Sequence, residues 1–332
     1  MNKHASPTAV LVLVATLSTA PALLTADQGL PRVNAEAVTV SGVSSGGAMA
    51  QQLHLAYAEL FQGAGIIAGV PFGCAEGKLG LALGPCMGKQ EALPIDGYRA
   101  ALEAAAAAGN AAPLEALQGD RAWVFHGALD AAVGAYATDA TAALYEALLG
   151  KTQLTYVNDV QAAHHFPTLE SGNPCDESAP PWLGACGFDA AGELLSFIYG
   201  GLAAPTDAQR TADAGGAMKT VELPGAAAAG MAETAYLFVP EACPPKGCRL
   251  HVALHGCAMA TGQNGKAFIE DSGYLPWARA NGIVVAFPEA VPQPLNPLGC
   301  WDWWGYTGAN YLQRDGAQMK VIADWVSRLT SS

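Results

Sequence analysis

Residues 39–53 read TVSGVSSGGAMAQQL, and this stretch decides the fold. β-Branched residues lead into two serines between glycines, and an apolar run with helical spacing follows. Gly42, Ser44 and Gly46 fit the pattern G-x-S-x-G, in which a serine occupies a strained turn from a strand to a helix. Such a turn exposes the serine hydroxyl, and the backbone N–H of the next residue, Ser45, is placed to stabilise an oxyanion. The stretch therefore predicts a nucleophilic Ser44.

Other interpretations of this turn fit the surrounding residues less well. A phosphate-binding loop requires Gly-Lys-Ser/Thr and a dinucleotide-binding turn requires G-x-G-x-x-G, and neither pattern is present. Ser45 as the nucleophile would break the glycine framing, because Val43 stands where the pattern requires the first glycine. The interpretation of this segment as a purely structural glycine turn remains possible until an acid and a histidine are found for Ser44.

Strand-like and helix-like segments alternate along the chain on both sides of the turn, which predicts an α/β fold with a mostly parallel central sheet flanked by helices. Strands are predicted within 35–42, 63–73, 122–133, 154–168, 234–240, 249–256 and 282–289. Helices are predicted over 47–61, 98–117, about 138–149, 189–200 and 315–329. The stretch 201–218, rich in Ala, Gly, Pro, Thr and Asp, predicts a linker.

A nucleophilic serine needs a histidine that takes its proton and an acid that orients the histidine, in the chain order Ser, acid, His. Asp130 lies in a loop directly after an apolar strand, although it could instead cap the following helix. The other nearby acids are Asp120, Asp139 and Asp159, and none of them is placed as well after a predicted strand as Asp130 is. His164 and His165 follow the next strand, and the residues alone leave the choice between them open.

The segment LHVALHGCAMA, residues 250–260, predicts a buried strand that ends in His255, Gly256 and Cys257. A strand ending in His-Gly is typical of the loop whose backbone N–H binds an ester carbonyl oxygen. In ordinary α/β-hydrolases this loop precedes the nucleophile, whereas here it follows Ser44. The order predicts a circularly permuted α/β-hydrolase, in which 201–218 joins two former termini and 27–332 forms one domain without a separate substrate-binding domain.

Composition limits the location and the partners of the chain. Of its 332 residues 51% are hydrophobic, and the formal net charge is −13 without a basic run, which argues against nucleic acid and suits a neutral substrate. The apolar run after Lys3 and His4 is short, interrupted and followed by small residues. Residues 1–26 are therefore predicted to be a signal peptide, cleaved between about residues 20 and 27. We expect a secreted monomer with no stable membrane association.

Eight cysteines form an even set, as expected for disulfides in an oxidising compartment. Proximity along the sequence suggests the pairs Cys74–Cys86, Cys175–Cys186 and Cys243–Cys248. Cys257 and Cys300 are left, and could join two distant loops. A zinc site is not expected, because CxxC pairs and His-rich spacing are absent, and no metal or organic cofactor is predicted.

Taken together, these segments resemble the extracellular poly(3-hydroxybutyrate) depolymerases, especially the single-domain, circularly permuted fungal type. The resemblance covers most of the chain after the leader and rests on GVSSGGAMA, FHGALDAAV, HHFPT…GNPCD…CGFDAAG, VALHGC and NPLGCWDWWGY. It implies Ser44 as the nucleophile and Asp130 as the orienting acid. Because family members carry H-A-(hydrophobe)-P-T, it also implies His164, and not His165, as the base.

The resemblance further implies that the backbone amides of Ser45 and Cys257 form the oxyanion hole, and that a Cys257–Cys300 disulfide tethers its loop to the tryptophan-rich segment. The implied activity is hydrolysis of poly(3-hydroxybutyrate), or of related short-chain polyhydroxyalkanoates and their oligomers, through an acyl-enzyme. One alternative is a secreted carboxylesterase for feruloyl, acetyl-xylan or short-chain lipid esters. Another is a non-catalytic binding protein on a dead hydrolase fold, against which the intact Ser44, Asp130 and His164 argue.

The segment GCWDWWGY, residues 299–306, is the expected source of substrate contacts. Its aromatic rings could be ordinary core residues or a wall that lies against an aliphatic polyester chain. By resemblance, Trp304 is the first choice for substrate contact and Trp301 the second. Asp302 is expected to make structural hydrogen bonds and to have no catalytic role.

Overall fold

The structure is a computed structural model that describes Met1 and residues 32–88, 93–211 and 214–331. Apart from Met1, the predicted signal peptide lies outside the described residues. The strands are β1 (Val33–Val43), β2 (Gly63–Ile67), β3 (Arg121–Phe125), β4 (Leu154–Val157), β5 (Phe166–Thr168), β6 (Asn173–Pro174), β7 (Leu183–Ala185), β8 (Ala217–Glu222), β9 (Thr234–Val239), β10 (Cys248–Leu254) and β11 (Ile283–Phe287). The helices are α1 (Ser45–Ala56), α2 (Leu79–Leu81), α3 (Ile95–Ala107), α4 (Ala135–Leu149), α5 (Ala190–Ile198), α6 (Asp207–Arg210), α7 (Thr261–Asn264), α8 (Ala267–Asp271), α9 (Tyr274–Asn281) and α10 (Ala317–Thr330).

Eight strands form one central sheet in the order β4-β3-β2-β1-β10-β11-β9-β8. The strands from β4 to β11 in this order are all parallel, while β9, near one edge, runs antiparallel to both of its neighbours, β11 and β8. The first four strands of the chain make one half of the sheet and the last four make the other. At their junction Ser41 of β1 lies opposite Ala253 of β10. This is the circularly permuted α/β-hydrolase arrangement that the position of the His-Gly loop predicts.

The two faces of the sheet are buried by different helices, because alternate side chains of a strand point to opposite sides. On one face, Val38 and Val40 of β1 belong to a core that includes Met49 of α1 and Ile322 of α10. On the other face, Ser41 bonds Tyr274 of α9. From Val38 to Val43 every residue of β1 is buried, and this C-terminal part of the strand leads directly into the Ser44 turn.

Several element boundaries differ from those that the sequence predicts. The Ala-rich helix ends at Ala107, where Gly109 takes a φ of 77° and begins a loop, and a short 3-10 turn follows at Leu114–Leu117. The range 201–218 contains α6 and the first residues of β8, an edge strand that its composition does not indicate. In the described part of the chain, no helix combines the length and the apolar character that a membrane crossing requires.

Candidate active site

The turn between β1 and α1 places Ser44 at the carboxyl end of the central strand. Ser44 has a φ of 57° and a ψ of −120°, a backbone conformation that a residue with a side chain rarely adopts. The flanking glycines are sterically required: a Cβ on Gly42 would lie 2.3 Å from the Gly46 carbonyl, and a Cβ on Gly46 would lie 2.3 Å from the carbonyl oxygen of Leu254. Strand, turn and helix thus form the elbow that G-x-S-x-G predicts.

Loops after two neighbouring strands bring an acid and a histidine to this serine. His164 Nε2 lies 2.9 Å from Ser44 Oγ, and His164 Nδ1 lies 2.7 Å from Asp130 Oδ2. Asp130 follows β3, and His164 follows β4, and parallel strands end at the same edge of a sheet. Three residues that lie far apart in sequence therefore form one continuous hydrogen-bonded relay, in the geometry that proton transfer to an imidazole requires.

The Asp130 carboxylate is held on both oxygens. Oδ1 accepts hydrogen bonds from the backbone N–H groups of Ala132 (2.8 Å) and Val133 (2.9 Å), while Oδ2 bonds His164. Burial would raise the pKa of Asp130, but the bond with His164, its charge and the two backbone donors outweigh burial and lower the pKa. Asp130 is therefore ionised at neutral pH and fixes the Nδ1–H tautomer of the histidine.

His165 is held away from the relay. Its ring is buried, its Nε2 lies 2.8 Å from the carbonyl oxygen of Cys175, and it occupies the space beside Gly184, where a Cβ would lie 2.1 Å from the ring. Burial lowers the pKa of His165, so the ring stays neutral. Of the two adjacent histidines, the structure brings only His164 to Ser44.

Ser45 and Cys257 line the same cavity as Ser44. Among the hydrogen bonds of the described residues, neither amide donates to a protein acceptor, whereas the Ser45 side chain accepts from the backbone N–H of Trp301 at 3.3 Å. Cys257 is joined to Cys300 by a disulfide with a Cα–Cα distance of 4.1 Å. Two backbone donors thus remain available beside the serine hydroxyl, as an oxyanion hole requires.

The cavity at Ser44 has a volume of about 300 Å³ and predominantly apolar walls. Leucines from two segments, one a short helical stretch and the other a loop, form its rim, and they are among the most exposed large apolar residues described: Leu79, Leu83, Leu295 and Leu298. The sequence reasoning missed these residues. The available signal was the pair of Pro- and Gly-containing apolar stretches LGLALGPC and PLNPLGC, each of which ends at a disulfide-bonded cysteine.

Comparison with known proteins is consistent with this geometry, although no protein-family model matches the chain. A polyhydroxybutyrate depolymerase of Talaromyces funiculosus is 34% identical over 322 residues, which cover 90% of this chain and 91% of that protein. The chain belongs to the polyhydroxybutyrate depolymerase family. A poly(3-hydroxybutyrate) depolymerase of Delftia acidovorans is 36% identical over 304 residues, which cover 90% of this chain but only 61% of that protein.

Solved structures of this family share the fold of the chain. The PHB depolymerase from Penicillium funiculosum superimposes with a TM-score of 0.83 and 32% sequence identity, over 91% of this chain and 98% of that one. A serine-to-alanine variant of a PHB depolymerase, complexed with an R3HB trimer, matches with the same score, identity and coverage. The chain thus has the overall fold of a PHB depolymerase.

The structure corrects one of the substrate contacts that the family resemblance implies. Trp301 is fully buried, at 0% exposure, and its indole N–H donates to the carbonyl oxygen of His255 at 3.0 Å. It cannot touch a substrate, and the prediction for this residue was wrong because its ring fills the core behind the oxyanion loop. Trp304, the first choice, lines the cavity together with Trp303.

Asp302 organises the tryptophan-rich segment in this family member. Its Oδ1 accepts from the backbone N–H groups of Trp304, Gly305 and Tyr306, and its Oδ2 accepts from the N–H and the hydroxyl of Thr307. The carboxylate makes no contact with the relay in the described hydrogen bonds. Asp302 fixes the backbone that presents Trp304 to the cavity, which agrees with a structural role.

Four disulfides are formed, between Cys74 and Cys86, Cys175 and Cys186, Cys243 and Cys248, and Cys257 and Cys300. The one group of potential metal ligands found among the described residues consists of His165, Cys175 and Cys186. Both of these cysteines are oxidised in one disulfide and offer no thiolate to a metal. The cluster therefore holds His165 in place as a structural unit.

A larger cavity of about 620 Å³ lies away from the relay, beside α6, α8 and α9. Its lining includes Asp189, Arg210, Glu270 and Asp271, and it contains none of the predicted site residues. We place the candidate active site at the smaller cavity, because Ser44, Ser45 and Cys257 line it and His164 bonds the Ser44 hydroxyl. Volume alone does not identify a reactive centre.

Proposed function

We propose that this chain is a secreted serine esterase that hydrolyses poly(3-hydroxybutyrate), or related short-chain polyhydroxyalkanoates and their oligomers. The observation that carries the proposal is the unbroken relay from Asp130 through His164 to Ser44 at the mouth of an apolar cavity. An apolar cavity and a net charge of −13 favour a neutral, aliphatic ester over an anionic substrate. The polymer is also what the two curated relatives are named for.

In the acylation step, Ser44 Oγ attacks the ester carbonyl carbon while His164 Nε2 accepts its proton. Asp130 stabilises the resulting imidazolium through its bond to Nδ1. The carbonyl oxygen becomes an oxyanion that accepts hydrogen bonds from the amides of Ser45 and Cys257. His164 then gives its proton to the leaving alkoxide, and an acyl-enzyme on Ser44 remains.

In the second half-reaction, a water molecule replaces the departed alcohol beside His164. The imidazole takes a proton from the water as it attacks the acyl carbon, and the same two amides stabilise the second oxyanion. Collapse of this intermediate returns the proton to Ser44 Oγ and releases the hydroxy acid. The cycle uses side-chain and backbone groups of this chain throughout.

Binding of a solid or oligomeric polyester is assigned to the rim of the cavity. Leu83 and Leu295, at 61% and 75% exposure, come from two separate segments that line the cavity with Ser44, and Trp304 packs on the core and lines the cavity. Burying exposed leucine surface against an aliphatic chain releases roughly 25 cal/mol per Å². The rim thus offers two separate hydrophobic contacts near the scissile ester.

We further infer that residues 27–332 act as one catalytic domain whose former ends are joined by 201–218. The support is that strands from both halves of the chain pair within one sheet. Four disulfides support export to an oxidising compartment, and a monomer with no stable membrane association is expected.

The test is clearing of a poly(3-hydroxybutyrate) suspension by the purified protein, alongside hydrolysis of soluble butyrate esters and 3-hydroxybutyrate oligomers. Clearing by the wild type but not by the Ser44→Ala variant is the expected result. Hydrolysis of soluble esters without clearing would keep the esterase mechanism and move the substrate to oligomers or another ester class. Failure of the wild type on every ester would overturn the proposal.

A further inference from the structure

The orientation of one peptide bond decides whether the loop after β10 can stabilise an oxyanion. The Cys257 N–H belongs to the peptide plane that also contains the Gly256 carbonyl, and in a trans peptide these two groups point in opposite directions. A group that fixes the Gly256 carbonyl therefore also fixes the direction of the Cys257 N–H. The structure contains such a group.

His255 Nδ1 lies 2.7 Å from the Gly256 carbonyl oxygen, and its Nε2 lies 3.1 Å from the backbone nitrogen of Ala290. A carbonyl oxygen only accepts and a backbone N–H only donates, so the partners determine the tautomer. The proton is on Nδ1, which donates to Gly256, and Nε2 accepts from Ala290. The ring is thus neutral and fixed at both nitrogens.

The imidazole itself has little freedom to move. His255 is 2% exposed, its ring centre lies 5.3 Å from that of Trp301, and the Trp301 indole N–H donates to the His255 carbonyl oxygen. Gly256 is held as well, because its N–H points to Met259 Sδ at 3.1 Å. Burial lowers the pKa of His255, which keeps the Nε2 lone pair available to Ala290.

We propose that His255 is the positioning residue of the oxyanion hole: its Nδ1–H holds the Gly256 carbonyl away from the cavity, so that the Cys257 N–H faces the ester oxygen bound at Ser44. The inference rests on the proposed esterase mechanism. A hydrogen bond to a peptide carbonyl also polarises the N–H of the same peptide, so the contact strengthens the Cys257 donor as well as aligning it. His255 itself touches neither the substrate nor the relay.

Substitutions of His255 can separate the contribution of its Nδ1 from that of its Nε2. In His255→Asn the side-chain amide nitrogen lies near the former Nδ1 and can still donate to Gly256. In His255→Gln it lies near the former Nε2, and in His255→Phe neither nitrogen is replaced. Loss of a whole oxyanion donor costs about 10²- to 10³-fold in kcat, so a misaligned donor should cost about 10- to 100-fold.

The experiment measures kcat and KM for a soluble butyrate ester, and inhibition by an alkylboronic acid, which forms a tetrahedral adduct on the serine. We expect His255→Gln and His255→Phe to lose kcat by about 10- to 100-fold with KM within about threefold, because an oxyanion forms only after attack. Boronate affinity should fall in parallel. His255→Asn should recover most of the lost kcat.

His251→Gln is the matched control, because His251 is a buried histidine on β10, the strand that leads to His255, and it bonds Thr39 and Ser41 instead of the oxyanion loop. It should lower the melting temperature and leave kcat of the folded enzyme within about threefold. If His255→Asn is as slow as His255→Gln, or if the His255 variants lose only thermal stability, the proposal is wrong. If His255→Phe does not fold, the Asn and Gln variants decide. An inactive wild type would instead overturn the esterase function itself.

Discussion

The two sides of the Ser44 cavity are built on different physical principles. On the relay side, Asp130, His164 and the loop at Cys257 are held by directional hydrogen bonds or by a disulfide. On the rim, Leu83 and Leu295 leave most of their apolar surface exposed to solvent. The function of the relay side depends on the angles and distances of its hydrogen bonds, whereas substrate binding at the rim depends on the apolar surface area that it buries. We therefore expect the two regions to respond to substitution in opposite ways.

The largest effect should come from Ser44→Ala. Removing the nucleophile of a triad costs about 10⁶-fold in kcat, and the same loss is expected here for soluble and polymeric esters alike. Ester hydrolysis and labelling by a fluorophosphonate measure it. Ser45→Ala is the control, because it keeps the backbone N–H and should stay within about tenfold of the wild type. Residual hydrolysis by Ser44→Ala near the wild-type rate would remove the basis of the proposed site.

Asp130→Asn should lower kcat by about 10⁴-fold, since the amide cannot fix the required tautomer of His164. It should also change acid stability. The folded-state pKa of Asp130 is lowered, so its contribution to stability is complete above the usual carboxyl pKa and is lost as the pH falls through the lower, folded value. Urea unfolding at a series of pH values should give a shallower acid decline in the Asn variant. An unchanged slope would mean that Asp130 is not the ionised partner.

The rim should separate polymer from soluble substrate. The double variant Leu83→Ser and Leu295→Ser should clear a polymer suspension about tenfold more slowly, because two apolar contacts of roughly 1 kcal/mol each are weakened. Hydrolysis of a soluble butyrate ester should change by less than about threefold. Leu169→Ser is the control, since Leu169 is exposed but lies at the larger, unrelated cavity. Equal losses of activity on the polymer and on the soluble ester would mean that the rim leucines act in the catalytic step and not in polymer binding.

The smallest effect on turnover should come from His165→Gln. This ring contacts the Cys175 loop and not the relay, so kcat should remain within about threefold. Disturbing a buried, hydrogen-bonded ring should still lower the free energy of unfolding by about 1–2 kcal/mol. Thermal unfolding and ester hydrolysis measure the two quantities. His164→Gln in the same assays should show the reverse pattern, and a catalytic loss in His165→Gln would exchange the roles of the two histidines.

The contrast between the hydrogen-bonded relay side and the apolar rim also explains which parts of the molecule can be predicted from the sequence. The Ser44 turn can be predicted from the sequence because its geometry excludes every residue but glycine at positions 42 and 46. The acid and the histidine can be predicted because they follow strands in a fixed order. The choice between His164 and His165 needed the family resemblance, since adjacent residues carry the same chemistry. Trp301 and Trp304 are equally aromatic, and only packing determines that one is buried. The leucine rim has no motif, because surface area requires no particular residue order.

The position of β10 beside β1 has a consequence for the order in which the molecule folds. Ser41 and His251 touch across the centre of the sheet although 210 residues separate them in sequence. Ser44, Asp130 and His164 are all synthesised before the strand that completes their oxyanion hole. Closing so long a loop is a slow step in folding. We therefore expect esterase activity to appear last in a refolding time course, after the N-terminal half has acquired its helices.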